Sequence, residues 1–445
     1  MLSKSQINGV DCLRESTKCA NLLKKNLGSE LWYVRENPLV YVARSDLASN
    51  PYLSPQRVKN INLALGLNVS NIMFEFGKGK VEKSPYEIKT HPPYKEPIGS
   101  IPLKIFYQDG YDHVQSWLVE NWDLFNVESY SLSEEDWLSS ISDSIVGDPG
   151  VSVVIAGKDF LEKHFSDIAC LKVESFKHGR GRSRLQIING DYVGGKIHNN
   201  EAEYILANLR SAILYKAHAT PFRVVLPTTC WLCDMLSSSL VVGMALAREG
   251  EDYIKAVAVL MTSYGDVVDY VDTEKVFRGR SMELRADEAE EFGGKVGELV
   301  NKYRSRYVTE FRREPGLIII ARSRSFREEE ATKVRRGFST ILERVNSGIR
   351  NVLSEDNLLF MSTTKTDYNF GRDVAAHVAS INQRNAGAWF LQPASFERAV
   401  KVSYQGYIKD FDVRLPAIAY TYLRALDFTS LSGKRTTIAP VTYAR

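Results

Sequence analysis

Residues 151–156 read Val-Ser-Val-Val-Ile-Ala, a nearly unbroken apolar and β-branched run. A strand with one face in water alternates, whereas a strand covered on both faces carries a continuous run of this kind. Leu103–Tyr107 (LKIFY) reads as an earlier strand, and 112–125 (DHVQSWLVENWDLF) has helical apolar spacing. Beyond the run come a helix over 159–177, a strand at 184–188 (RLQII), a helix over 200–218 and a strand at 222–226 (FRVVL). Repeated β–α units predict a parallel sheet with helices on its faces. Such a sheet takes ligands at the carboxyl ends of its strands.

The pattern changes after Pro227. Leu240–Ala247, Ile254–Met261 and Val267–Tyr270 read as three short strands, the last two separated by the turn sequence Thr-Ser-Tyr-Gly-Asp. A helix over 284–310 follows, then the apolar strand 317–320 (LIII), a helix over 327–350 and a strand near 358–362. Three antiparallel strands followed by α–β–α–β is the chain order of a ribonuclease-H-like fold. Residues 1–100 are less regular, with strand-like runs only at 39–43 and 72–76. The stretch 84–103 holds five prolines, which exclude regular helix or a central strand there. The expected organisation is an N-terminal segment over 1–100 that could dock a partner, a parallel-sheet domain over 101–228 and a ribonuclease-H-like domain over 229–445.

At 445 residues the chain is long enough for two or three domains. Its 44% hydrophobic and 25% charged residues are ordinary for a globular protein. Lys+Arg minus Asp+Glu is 57 − 54 = +3, so affinity for a polyanion must come from local clusters. Five cysteines, an odd number, fit a reducing compartment rather than a disulfide scaffold. Cys230 and Cys233 form one CxxC with no second pair to complete a zinc site. The first residues lack a signal-peptide core, and Leu240–Ala247 is far shorter than the roughly 20 residues of a membrane span. A cytoplasmic location is expected.

No Walker loop, HExxH or GxSxG occurs. Two basic concentrations do. Residues 177–184 (KHGRGRSR) carry Lys177, Arg180, Arg182 and Arg184. Residues 301–336 hold eleven Lys/Arg against five Glu, a net of +6, and include Arg322 and Arg324 just beyond the strand 317–320. Charge of this density supports phosphate contacts through counterion release. Solvated loops and helix faces are the alternative.

The order of these segments over 100–445 resembles a short prokaryotic Argonaute, a MID domain followed by a PIWI domain. The MID-like part is Val151–Ala156, Gln186 on its strand, and the run Asn208–Phe222, a helix ending in a lysine, a small-residue turn and Pro-aromatic. The resemblance implies that Lys177, Gln186 and Lys216 hold a guide's 5′ phosphate, with Val173 at the position of the base-stacking aromatic. The duplex channel would use Arg180, Arg182, Arg184, Arg322 and Arg324. The PIWI-like part begins at Leu240–Ala245, where the family's Gly-x-Asp has become Gly243-Met244-Ala245. Ser323 stands at the second aspartate, and Arg445 at the final acid or histidine of the closing Pro-x-x-Tyr-Ala motif.

Two-metal hydrolysis needs several carboxylates to hold its cations, and Ala, Ser and Arg supply none. The resemblance therefore implies a catalytically inactive sensor of invading nucleic acid in prokaryotic antiviral defence. Its partners would be an RNA guide, a DNA target and an associated effector protein. A Mg2+ ion beside the 5′ phosphate is the one cofactor the resemblance allows. Asp234, Asp266 and Glu283 read as solvated or capping acids. An active ribonuclease-H-like nuclease with a different carboxylate set, and a scaffold with solvated basic clusters, are the competing readings.

Overall fold

The chain's structure, a computed structural model, describes most of residues 72–97, 101–323 and 340–441. It also describes two short strand pairs nearer the N-terminus, β1 (Gln6–Ile7) with β2 (Val10–Asp11) and β3 (Leu31–Val34) with β4 (Leu39–Val42). Arg180, Glu283, Arg324 and Arg445 lie outside the described residues.

Next in the chain come β5 (Met73–Glu75) and β6 (Val81–Glu82). The parallel sheet then consists of β7 (Ile101–Gln108), β8 (Phe125–Leu132), β9 (Val151–Ala156) and β10 (Leu185–Asn189), in the order β10-β9-β7-β8. All six residues of β9 are buried, as their continuous apolar pattern requires. One face is covered by α1 (Asp112–Glu120), α5 (Gly190–Gly194) and α6 (Ala202–Lys216), which bury Val114, Leu118, Val193 and Ile213 on it. The other is covered by α2 (Trp137–Gly147), α3 (Lys158–Lys163) and α4 (Phe165–His178), through Ile141, Ile145, Phe160, Ile168 and Leu171.

Four expectations need correction here. The prolines of 84–103 do not exclude a central strand throughout that stretch: Pro102 is the second residue of β7, paired with Asn126 of β8, and the pairing of β7 to β9 begins only after it, at Leu103. The helix expected over 112–125 stops at Glu120, and Phe125 opens β8, an edge strand too polar to show an apolar run. The helix expected over 159–177 is broken at His164, whose ring packs on Trp137 and Phe160. The strand expected at 222–226 is β11 (Arg223–Val225), and it lies outside the parallel sheet, antiparallel to β5. Glu75 on β5 ion-pairs with Arg223 at 2.9 Å. The strand-like run 72–76 is β5, and the described part of the proline-rich stretch from 84 packs into the body with it, Phe74, Phe76 and Ile88 being buried among Phe222 and Phe428.

The second half begins with α7 (Trp231–Ser237) and builds a nine-stranded sheet. Strands β12 (Ser239–Glu249), β13 (Tyr253–Thr262) and β14 (Val267–Asp272) are antiparallel, with β15 (Val276–Phe277) against β13. Helix α8 (Ala286–Phe311) leads to β16 (Leu317–Ser323), and α9 (Thr340–Val352) to β17 (Leu358–Lys365); β12, β16 and β17 run parallel. The sheet continues through β20 (Val400–Tyr407), β19 (Ala386–Gln392) and β18 (Val374–Ala379), and α10 (Leu415–Ala425) follows. Ile318 and Ile320 face α8 and α9, while Leu317, Ile319 and Ala321 share a core with α10 and α6. The helices α8 and α9 approach closely enough that a Cβ on Gly348 would lie 2.1 Å from the Glu290 carbonyl oxygen. The chain is therefore a Rossmann-like parallel-sheet domain followed by a ribonuclease-H-like domain. Among the described residues no helix is long and apolar enough to cross a membrane.

Candidate nucleic-acid interface

Helix α6 ends at Lys216, and the chain turns out of it through His218 in a left-handed conformation. That ending carries the lysine across the start of β10, where Lys216 Nζ donates to the Leu185 carbonyl oxygen at 2.6 Å. The next residue along β10 is Gln186, half-buried, whose amide Nε2 donates to the Ile187 carbonyl at 2.9 Å. Lys216 thus reaches the backbone of the residue that precedes Gln186.

Lys177 does not join them. It is exposed in the last turn of α4. The lysine whose charge reaches Lys216 is Lys172, five residues earlier and about 140° around the helix at 100° per residue. Lys172 itself has its pKa lowered by burial of its ammonium group, although the residue is exposed overall. Enclosure of the Lys216 ammonium, followed by repulsion from Lys172, pushes its pKa from 10.5 down to about 7. No carboxylate pairs with either lysine among the described residues. Two neighbouring lysines without a counter-charge are an arrangement that an anion can neutralise. The same donor set does not fit a divalent cation, so no role for Mg2+ is derived from it.

One turn before Lys172 stands Ile168, which is buried in the core. Val173 is exposed beside Lys172 and offers no ring. An aromatic that the sequence pattern did not single out, Phe165, is 72% exposed at the start of α4. It lies on nearly the same helical stripe as Lys172, about 20° away over seven residues.

The basic run 177–184 divides on folding. Gly179 lets the chain double back from α4, since a Cβ there would sit 1.8 Å from the Arg182 carbonyl oxygen. Arg182 then points inward and is 4% exposed. Its guanidinium donates to the Tyr215 carbonyl at 2.9 Å, the Ala219 carbonyl at 3.3 Å and Asp266 Oδ1 at 3.0 Å. It also stacks 4.5 Å from the Tyr215 ring centroid. Asp266 sits in the β13–β14 turn, so this arginine locks the two domains together, and Thr220 Oγ1 donates to the same carboxylate oxygen at 3.0 Å. Arg182 is therefore not a channel residue, and Asp266 is not a solvated acid.

Arg322 is corrected likewise. It continues the buried strand β16 between Met244 and Ser362 and is 3% exposed, with burial pushing its pKa down to about 9. Arg184 is half-buried at the entry to β10. Arg322→Ala is expected to lower the denaturation midpoint while leaving the salt dependence of oligonucleotide binding unchanged. A denaturant titration beside a salt titration checks both.

Ala245 and Ser323 each lie one residue beyond the paired Met244 and Arg322, on neighbouring parallel strands. Ala245 is buried with Val259 in a small apolar cluster, against which Phe176, Val257, Val267 and Tyr270 pack. Phe176 comes from α4 of the first domain and meets Tyr270 edge-on at 4.9 Å. Asp234 is exposed on α7. Among the described residues no three His, Cys, Asp or Glu side chains converge on a metal position.

No family model matches this chain, and no curated protein matches its sequence. Solved structures share its fold. Drosophila Piwi superposes with a TM-score of 0.53 at 14% identity, over 84% of this chain and 52% of that one. Argonaute from A. aeolicus gives 0.50 at 12% identity, over 84% of this chain and 51% of that one. Marinitoga piezophila Argonaute in complex with a 5′ OH guide RNA and target DNA gives 0.50 at 12% identity, over 97% of this chain and 61% of that one. The chain thus spans between half and about three-fifths of these Argonaute and Piwi chains, and the likeness is one of fold.

Proposed function

We propose that this chain binds a short guide nucleic acid by its 5′ phosphate, pairs it with a complementary target, and does not cleave that target. What carries the reading is the apposition of Lys172 and Lys216 beside Gln186 at the entry to β10. A terminal phosphate neutralises both ammonium groups, and the Gln186 amide reaches its oxygens or the first sugar. The Marinitoga protein was solved with a 5′ hydroxyl guide; a hydroxyl would leave these two lysines without a counter-charge, whereas a phosphate supplies one. Base pairing supplies sequence specificity and backbone contacts hold register.

Loss of cleavage is supported by Ala245 in its apolar cluster, because an alanine at that position holds no cation. With no cutting step, the output passes to an associated effector protein, in the manner of short prokaryotic Argonautes that act in antiviral defence. An RNA guide and a DNA target are the proposed strands. The purified chain loaded with a 5′-phosphorylated guide is expected to leave a labelled complementary target intact in Mg2+ or Mn2+. Metal-dependent cutting at one position opposite the guide would establish the competing nuclease reading.

The lowered pKa of Lys216 fixes a pH dependence. In the free fold this lysine loses its proton near pH 7, whereas in the unfolded chain it keeps it to about 10.5. Between those values the unfolded state holds more protons, so from this group stability rises with pH. A bound phosphate favours the charged form, so binding above pH 7 must bring a proton with it. Affinity for a 5′-phosphorylated strand is expected to fall by up to about tenfold from pH 7 to 8. The 5′-hydroxyl strand should show no such fall, and anisotropy titrations across that range compare them.

A further inference from the structure

Between Ile105 and Gly157 the chain holds ten Asp or Glu and not one Lys or Arg, although the whole protein carries +3. Eight of those acids are described, Asp109, Asp112, Glu120, Glu128, Glu134, Glu135, Asp136 and Asp143, and every one is exposed; Glu134 ion-pairs with Lys163 of α3, which leaves seven without a paired cation among the described residues. They lie on α1, on β8 and its adjoining turns, and on α2, the helix that follows β8 and packs on β9. Lys172, Lys216 and Gln186 belong to α4, α6 and β10, and β10 is the edge of the parallel sheet opposite β8.

Among the described residues strand β8 pairs with β7 alone, in one unbroken register from Ile101↔Phe125 to Gln108↔Leu132. Its second row of backbone N–H and C=O groups therefore faces away from the sheet. Natural edge strands are usually blunted by bulges, prolines, lysines or short length. This one is eight residues long, has no register shift, and its sequence FNVESYSL contains no Pro, Gly or Lys. Exposed apolar side chains accompany it: Val119, Tyr130, Leu138 and Val146 are between 37% and 57% exposed.

We propose that β8, with α1 and α2 that flank it in the chain, is the docking edge for an extended segment of a partner protein rich in Lys or Arg, which adds to the sheet as a fifth strand. Main-chain hydrogen bonds to the open edge would give affinity, and side chains alternating along the added strand would give selectivity. The sign of the charge chooses the occupant. A nucleic acid is repelled by it. A second copy pairing β8 with β8 would bring two acidic rims together, which like-charge repulsion disfavours. A basic strand with interspersed apolar residues matches both the acids and the exposed Tyr130, Leu138 and Val146. This surface is independent of the guide-phosphate reading, so either can fail alone.

The test uses the full chain, freed of nucleic acid, and three labelled twelve-residue peptides. One alternates Lys and Val, one alternates Glu and Val, and one carries the same lysines with prolines interrupting the strand. The Lys–Val peptide is expected to bind and to slow amide hydrogen exchange within residues 126–131. The Glu–Val peptide should not bind, and the proline peptide should bind at least tenfold more weakly. The triple substitution Glu120→Lys, Glu128→Lys, Asp143→Lys, all at exposed positions, should reduce Lys–Val binding at least tenfold with an unchanged denaturation midpoint. Equal binding of the proline peptide, or exchange slowed elsewhere, would overturn strand addition. A peptide-free dimer that dissociates on blocking this edge would assign it to a second copy instead.

Discussion

Arg182→Ala is expected to destabilise the chain by about 3–5 kcal/mol, the usual cost of removing one partner of a buried, hydrogen-bonded ion pair. The magnitude follows from what the guanidinium does: three hydrogen bonds, one of them the ion pair to Asp266, and one ring contact converge on a side chain only 4% exposed. Asp266 would then lose its cation while keeping only Thr220 Oγ1 among its side-chain donors. Arg182→Lys should recover little, because one ammonium cannot span the Tyr215 carbonyl, the Ala219 carbonyl and Asp266 with a fork geometry. Asp266→Asn should cost less, since the amide oxygen still accepts. Urea titrations of the three variants rank them. A loss below about 1 kcal/mol for Arg182→Ala would mean that the inter-domain lock is dispensable.

The second large effect concerns binding. Lys216→Met and Lys172→Met should each weaken binding of a 5′-phosphorylated strand by about 1–3 kcal/mol, roughly ten- to hundredfold. Binding of the 5′-hydroxyl strand should change little. Lys177→Met, on the exposed side of α4, should alter neither by more than about twofold. Methionine keeps the aliphatic stem, so the packing of the stem survives the substitution. Lys216→Met should also raise the denaturation midpoint of the free protein at pH 6, because it removes a cation that folding places against Lys172. Stability gained where binding is lost distinguishes a ligand site from a merely structural lysine. Binding that survives both single substitutions would place the phosphate elsewhere.

Much of the fold was legible because apolar periodicity reports burial directly. The run Val151–Ala156 is β9 at the same bounds, and the segment 317–320 lies within β16. Strand β8 was hidden because an edge strand buries little and so carries no run. The pocket was legible in part. Lys216 reaches the start of the strand that carries Gln186, two residues that the resemblance grouped, but the choice between Lys172 and Lys177 depends on helical phase. A basic run does not show its phase. Arg182 and Arg322 show the same limit from the other side: both belong to basic clusters, and backbone geometry turns both inward. The acidic face around β8 was present in the composition, and the near-neutral total concealed it.

Binding of one guide sequence with a 5′ phosphate, measured beside the same strand with a 5′ hydroxyl at pH 7 and fixed salt, bears most directly on the proposed grip. The account predicts at least a tenfold preference for the phosphorylated strand, abolished in a Lys172→Met/Lys216→Met double variant. Equal affinities of the unmodified chain for the two strands would contradict it.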